Sequence, residues 1–164
     1  MICKFSSCPG SWGIEDSQNP ENTPWGIVLD EISNIGFTAL ELGPYGYLPF
    51  EAAFLTEELN KRNLQIVAGT LYDDLITKES FNRIVKKTHE ICRVLSSVPT
   101  APALGIQTGS PPYYVVIDAV KPEREKLPRS VKAAMLSSDL WQQMVSHIKE
   151  IAKISYDGYG VRSV

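Results

Sequence analysis

Four places in this sequence set polar or aromatic side chains directly after a β-prone apolar run. Ser11 and Trp12 follow "ICKFSSC". Glu41 closes "FTALE", with Gly43, Pro44, Tyr45, Gly46 and Tyr47 just beyond. Gly69, Thr70 and Tyr72 end "LQIVAGTLY", and Asp73 and Asp74 come next. Asp118 ends "YYVVID", and Glu123 and Arg124 lie in the polar stretch after it. Together these residue types suit a polyol. Aromatic faces stack on the C–H side of a sugar ring, and carboxylates and an arginine hydrogen-bond its hydroxyls. A carboxylate also moves a proton next to a carbonyl, provided a cation holds the developing enolate.

Each of these residues has a structural reading beside the chemical one. Glu41 sits between Leu40 and Leu42, so its side chain either points inward, where a charge needs a partner, or caps nearby backbone N–H groups. Asp118 is of a type common in turns. Trp12 and the tyrosines also serve to close the end of a core. The two histidines, His89 and His147, fall inside helical patterns, as helix-surface or interface residues. Sequences of the forms H-E-x-x-H, G-x-S-x-G and paired C-x-x-C are absent, as are G-x-G-x-x-G after the first strand and the Walker A pattern.

The elements that position these residues alternate. After the breaker "PGSWG" and the polar loop "EDSQNPEN", Thr23 reads as an N-cap with Pro24 at the first helical position. Ile27, Val28, Ile32 and Ile35 recur on one face of that helix, and Gly36 ends it. A second helix, "EAAFLTEELNKRN", buries Phe54, Leu55 and Leu59, with Asn63 as its C-cap. The third, "TKESFNRIVKKTHEICRVLSSV", uses Phe81, Ile84, Val85, Ile91, Val94 and Leu95. The stretch from Pro99 to Pro112 reads as loop, and "KPEREKLPRSVKAAMLS" as a polar excursion. The fourth helix is expected to start at an N-cap Ser138. Its stripe of Leu140, Trp141, Met144, Val145, Ile148, Ile151 and Ala152 is expected to be buried. "VRSV" then alternates like the first residues of a fifth strand. Strands alternating with helices predict α/β structure built from parallel βα units, either an open doubly wound sheet or part of a (β/α)8 barrel.

Composition narrows the function classes. The 164 residues are 43% hydrophobic and carry a formal net charge of −3, which leaves no electrostatic footprint for nucleic acid. The short basic stretches "RIVKKTH" and "KPEREKLPR" read as solvated faces. No apolar run approaches a membrane span. Cys3, Cys8 and Cys92 cannot all pair within one chain, so free thiols and a cytoplasmic location are expected.

The longest motifs carry a resemblance. "PGSWGI", "TPWGIVLDEISNIGFTALELGPYGYLP", "LTEELNKRNLQIVAGTL", "YYVVIDAVKPERE" and "LWQQMVSHIKEIAKISYDGYGVR" together resemble the xylose isomerase-like TIM-barrel superfamily. The nearest branch is the sugar phosphate isomerase/epimerase group that includes inosose dehydratase-like proteins. The resemblance implies a half of a (β/α)8 TIM barrel, with about four βα units. It also implies that Trp12, Glu41, Tyr45 and Asp118 line the substrate side, and it points to carbohydrate metabolism, inositol catabolism included.

The same resemblance implies a divalent metal, Mn²⁺, Mg²⁺ or Co²⁺, in the full-length family. Its Glu, Asp, His and Glu ligands come from the fifth strand, which carries a His-Pro-His sequence, and from later strands. The chain stops inside that strand, so no metal is expected in this chain, and residues 1–164 read as one truncated domain, inactive alone. The alternative is an active sugar or cyclitol isomerase or dehydratase, completed by an oligomer partner or a separately encoded second half. The expected partners are a small polyol or sugar and further copies of the chain, joined through exposed sheet edges.

Overall fold

Three of the residues with left-handed backbone follow helices. Gly36 (φ 100°) and Gly160 (φ 68°) end helices by donating their N–H groups back to the last turn, and Asn63 (φ 55°) turns the chain just after a third helix. A computed structural model describes residues 5–100, 112–122 and 135–164. Cys3, Glu123, Arg124 and most of the stretch between Pro99 and Pro112 lie outside the described residues.

The element order alternates as the pattern predicts. A 3-10 turn at Pro9–Trp12 is followed by α1 (Trp25–Ile35), β1 (Ala39–Glu41), α2 (Ala52–Lys61), β2 (Gln65–Asp73), α3 (Lys78–Leu95), β3 (Tyr113–Asp118), α4 (Ser138–Tyr159) and β4 (Arg162–Ser163). The sheet runs β1-β2-β3-β4 and every pairing is parallel. "VRSV" does start a strand: Arg162 and Ser163 pair with Tyr113 and Tyr114. Among its described residues, the first apolar run contributes a parallel bridge from Ser7 to Leu40, which adds a fifth strand position beside β1.

Capping shifts two helix starts by one residue. Pro24, not Thr23, is the N-cap of α1. At α4, Ser137 and not Ser138 accepts the N–H of Leu140. Glu51 caps α2 with both carboxylate oxygens, on the N–H groups of Ala53 and Phe54.

The two faces of the sheet differ. A Cβ built on Gly69 would meet Ile91 and Leu95 of α3 at 3.0 and 3.3 Å, and the Tyr114 hydroxyl lies 3.0 Å from Thr88 Oγ1 on the same helix. Gly69, Leu71 and Asp73 therefore face the helices, together with their register partners Tyr114, Val116 and Asp118. Ala68, Thr70 and Tyr72 face the other way, with Tyr113, Val115 and Ile117. That second face is open: Tyr72 is 55% exposed and Ile117 43%. The register between β1 and β2 passes from Leu40↔Ile66 to Glu41↔Ala68, so Val67 is an extra residue, a β-bulge.

The helix-side face carries the core. Val28, Leu29 and Ile32 of α1, Leu55 and Leu59 of α2, and Ile84, Ile91 and Leu95 of α3 join Leu40, Ile66, Leu71 and Tyr114 in one buried cluster. The expected stripe of α4 is only partly right. Ile151 is buried, but Leu140, Trp141 and Ile148 are exposed, because α4 rests on α3 along His147, Ile151 and Ser155 instead. Ile27, Ile35 and Phe54 are exposed as well, one position off the covered face of each helix. Among the described residues no helix is long and apolar enough to cross a membrane.

Candidate functional site

The C-terminal ends of the parallel strands bring together Glu41, Asp73 with Asp74, and Asp118, as the strand assignments require. In parallel α/β structures this end carries the chemistry. Three of the four carboxylates are already held by cations. Asp73 Oδ1 accepts from Arg83 Nη2 at 2.6 Å and its Oδ2 accepts from Lys87 Nζ at 2.8 Å. Burial pushes its acidity down, but those two cations outweigh burial and hold the carboxyl far below the usual carboxylate range. Lys121 Nζ donates to Asp74 Oδ1 at 2.5 Å and to Asp118 Oδ1 at 3.3 Å, tying the loop after β2 to the loop after β3. Burial of Asp74 is likewise overcome by Lys121 and the Thr77 hydroxyl, and its pKa falls to about 2. Asp118 Oδ1 also accepts the N–H of Leu75 at 2.9 Å.

Glu41 is different. It is half-buried at the bulge, on the open face of the sheet opposite Ala68. No hydrogen bond or ion pair joins its side chain to a described residue. Burial alone raises its pKa.

The two expected aromatic residues go elsewhere. Trp12 Nε1 donates to Glu31 Oε2 on α1 at 2.5 Å. The Tyr45 hydroxyl donates to Glu90 on α3, and its ring lies 4.9 Å from that of Phe50 and 5.4 Å from Lys87 Nζ. Burial, reinforced by Glu90, pushes the Tyr45 hydroxyl up to about 12. Trp12, Glu41, Tyr45 and Asp118 thus share one end of the sheet without converging on one point.

Lys87, Arg83 and Lys121 escaped the sequence reading. The basic stretch "RIVKKTH" is not simply a solvated face, since Arg83 and Lys87, four residues apart on one side of α3, reach the buried Asp73. That spacing was the available signal. His147 is an interface residue, as expected, yet it also reaches the strand-end loop: its Nδ1 lies 2.8 Å from the Leu75 carbonyl oxygen, and its ring stacks on Phe81 at 4.1 Å.

Two hollows flank the sheet. One of about 820 Å³ lies at the N-terminal ends of the strands, among Phe5, Ile35, Phe37, Asn63, Gln65 and Pro99. One of about 670 Å³ lies at the C-terminal end of β3, beside the first turns of α4.

No protein-family model matches this sequence, and no curated protein matches it significantly. Solved structures do. A xylose isomerase-like TIM barrel protein from Mycobacterium smegmatis, solved in complex with magnesium, superposes with a TM-score of 0.63 at 13% identity, over 98% of this chain and 53% of that one. The fold is half of a (β/α)8 TIM barrel. The half barrel also matches the probable 3-DHS dehydratase AsbF of Bacillus anthracis, involved in petrobactin synthesis (TM-score 0.62, 14% identity, 99% of this chain and 51% of that one). A sugar phosphate isomerase/epimerase from Parabacteroides distasonis gives 0.55 at 12% identity, over 98% and 49%. The half barrel spans about half the length of the solved structures it matches. Its open sheet face corresponds to the inside of such a barrel, and its strand-end carboxylates to the barrel's C-terminal rim.

Proposed function

We propose that this chain supplies the substrate-facing half of a sugar or cyclitol isomerase, epimerase or dehydratase. One observation carries the reading: among the strand-end carboxylates of the described residues, Glu41 alone has no cation, and it stands on the face that lines a barrel's interior. With its pKa raised by burial, Glu41 is suited to hydrogen-bond a substrate hydroxyl or to exchange a proton beside a carbonyl. Tyr72, exposed on the same face, offers a ring for the C–H side of the substrate. The names of the structures that share the fold support this class of chemistry.

A divalent metal does not fit the described residues. No three or more His, Cys, Asp or Glu side chains among them converge into a binding group, and Asp73, Asp74 and Asp118 are neutralised by lysine and arginine. We therefore assign Glu41 and Asp118 to substrate binding, and no proton transfer here is routed through a metal. On this reading residues 1–164 are inactive by themselves, and turnover requires a complementary half barrel.

The test is calorimetric titration with myo-inositol, alongside assays of isomerisation and dehydration. Binding with no turnover is expected, and Glu41→Gln should weaken binding by about tenfold, the worth of one charged hydrogen bond. Turnover by the chain alone, or binding indifferent to Glu41→Gln, overturns the reading.

The exposure of Tyr72 and Ile117 on the open face favours a further element of the proposal. Copies of the chain pair so as to cover that face, as large exposed apolar patches in soluble proteins require.

A further inference from the structure

Charge divides this chain in two. Residues 5–60 hold nine aspartates and glutamates and no lysine, arginine or histidine, whereas residues 61–164 hold fifteen lysines and arginines against ten acids. The fold turns that division into a polarity across the helix layer. Among the described residues α1 is the first α-helix and α4 the last, and β1 and β4 lie toward opposite ends of the sheet. The ion pairs on these two helices are Asp30 with Arg62 and Lys153 with Asp157. Glu15, Glu21 and Glu31, on or before α1, have no cation among the described residues. Lys149 on α4 and Arg162 on β4 have no acid among them.

Each outer helix also carries an uncovered ridge. Ile27, Glu31 and Ile35 recur every four residues on α1, and Ile148, Ala152 and Tyr156 do so on α4. Ile35 is 65% exposed and Tyr156 61%, and Ile27 and Ile148 are exposed as well. Docking within the chain uses other residues. α1 meets the end of α2 through Asp30 and Ser33, which both reach Arg62, and α4 meets α3 where His147 stacks on Phe81. Ridges of four-residue spacing interdigitate in the commonest mode of helix packing.

We propose that the ridge of α4 docks on the ridge of α1 in a second copy of this chain, twice, about a twofold axis. Charge selects this pairing. α1 on α1 would set glutamates against glutamates, and α4 on α4 would set Lys149 against its own copy. α4 on α1 instead brings Lys149 and Arg162 toward a stretch without a single lysine or arginine. A twofold axis repeats that contact as two identical seams and closes the assembly. It also sets the open edge of β4 beside the strand position of Ser7 in the second copy, which covers both exposed sheet edges. The seam rests on the pairing of copies put forward above, whose surface it names, and is independent of the sugar-facing reading.

The test is analytical ultracentrifugation of the full chain at micromolar concentration, with Ile27→Asp, Ile148→Asp and an equimolar mixture of the two. The native chain is expected as a dimer and each variant as a monomer. The mixture should form a heterodimer, because one of its two seams joins an unaltered α1 to an unaltered α4. Lys149→Glu should weaken the dimer about tenfold, and about 0.5 M NaCl should weaken the native dimer similarly. Lys86→Glu, the same charge change at an exposed position of α3, should leave it unchanged. Both isoleucines are exposed, so the variants should keep their circular dichroism spectra. If either misfolds, the comparison of Lys149→Glu with Lys86→Glu decides alone. A native monomer overturns the proposal together with any pairing of copies, and leaves the two ridges to a different chain. A dimer that survives either isoleucine variant, a mixture that stays monomeric, or equal effects of the two lysine variants overturns the seam alone.

Discussion

Asp73 and Lys87 form an ion pair of 2.8 Å beneath the rim of the sheet, with the aspartate only 8% exposed and the lysine drawn in from α3 to meet it. Arg83 takes the other oxygen at 2.6 Å. The end of β2 is therefore fastened to the helix layer by charge, where the rest of the strand is fastened by Leu71 and the tight approach at Gly69. Replacing Asp73 by Asn strands two cations without their acceptor. We expect Asp73→Asn to lower unfolding stability by about 2 kcal/mol in urea titration, since breaking a buried pair leaves charge uncompensated. Arg83→Gln, at the more exposed partner, should cost under about 1 kcal/mol.

The same carboxylates set the response to acid. Asp73 and Asp74 have folded-state pKa values below their unfolded values, Asp74 at about 2. A depressed carboxylate contributes stability that is fully present above the unfolded pKa, about 3.9, and is lost as pH falls through the folded pKa. The melting temperature should thus hold steady down to about pH 5 and fall steeply toward about pH 2. In Asp73→Asn the fall should be shallower. Parallel curves for the two proteins would contradict this assignment.

Gly69 has no room for a side chain. Its added Cβ would stand 3.0 Å from both Ile91 Cγ2 and Leu42 Cδ1, and 3.3 Å from Leu95 Cδ1. Gly69→Ala should destabilise by about 1–3 kcal/mol through overpacking, outweighing the gain from restricting the unfolded chain. Combining it with Ile91→Val relieves one of the three contacts, and part of the lost stability should return in a double-mutant cycle.

Light scattering at micromolar concentration checks the covering of the open face. A dimer or larger assembly is expected, and Ile117→Asp, which places a charge on that face, should shift it toward monomer. A well-folded monomer of the unmutated chain would remove oligomerisation from the proposal.

Much of this architecture is legible in the residues because its signals are local. Gly36 and Gly160 stop helices by a property of glycine itself, and the alternation of apolar runs such as "LQIVAGTLY" and "YYVVID" with helical patterns is enough to announce parallel strands. What stayed hidden depends on contacts between distant positions. Lys121 meets Asp74 across 47 residues, and His147 meets Leu75 across 72. Periodicity showed that α4 has apolar residues at Trp141, Ile148 and Ile151, but period cannot say which of two adjoining stripes a neighbour covers. Trp12 and Tyr45 lie just past β-prone runs in the sequence, while the direction of each side chain is fixed by Glu31 and Glu90, on helices that pattern alone cannot dock. The resemblance in "ELGPYGYLP" supplied the closed-barrel geometry that four βα units by themselves leave undecided.

The extra residue at Val67 has a consequence for how the strand is read. Upstream of it Ile66 turns toward the helices, and downstream Gly69, Leu71 and Asp73 do the same, a parity that an uninterrupted strand would not allow. Deleting Val67 would leave a plain alternation with Ile66, Gly69, Leu71 and Asp73 still toward the helices, whereas inserting one residue after Ala68 would exchange the neighbours Tyr72 and Asp73: the ring would be driven among α3's side chains and the acid would emerge on the opposite side, stripped of Arg83 and Lys87. Side selection along this strand is thus written as a count of residues, so a single-codon insertion after Ala68 would invert its second half while leaving every amino acid unchanged.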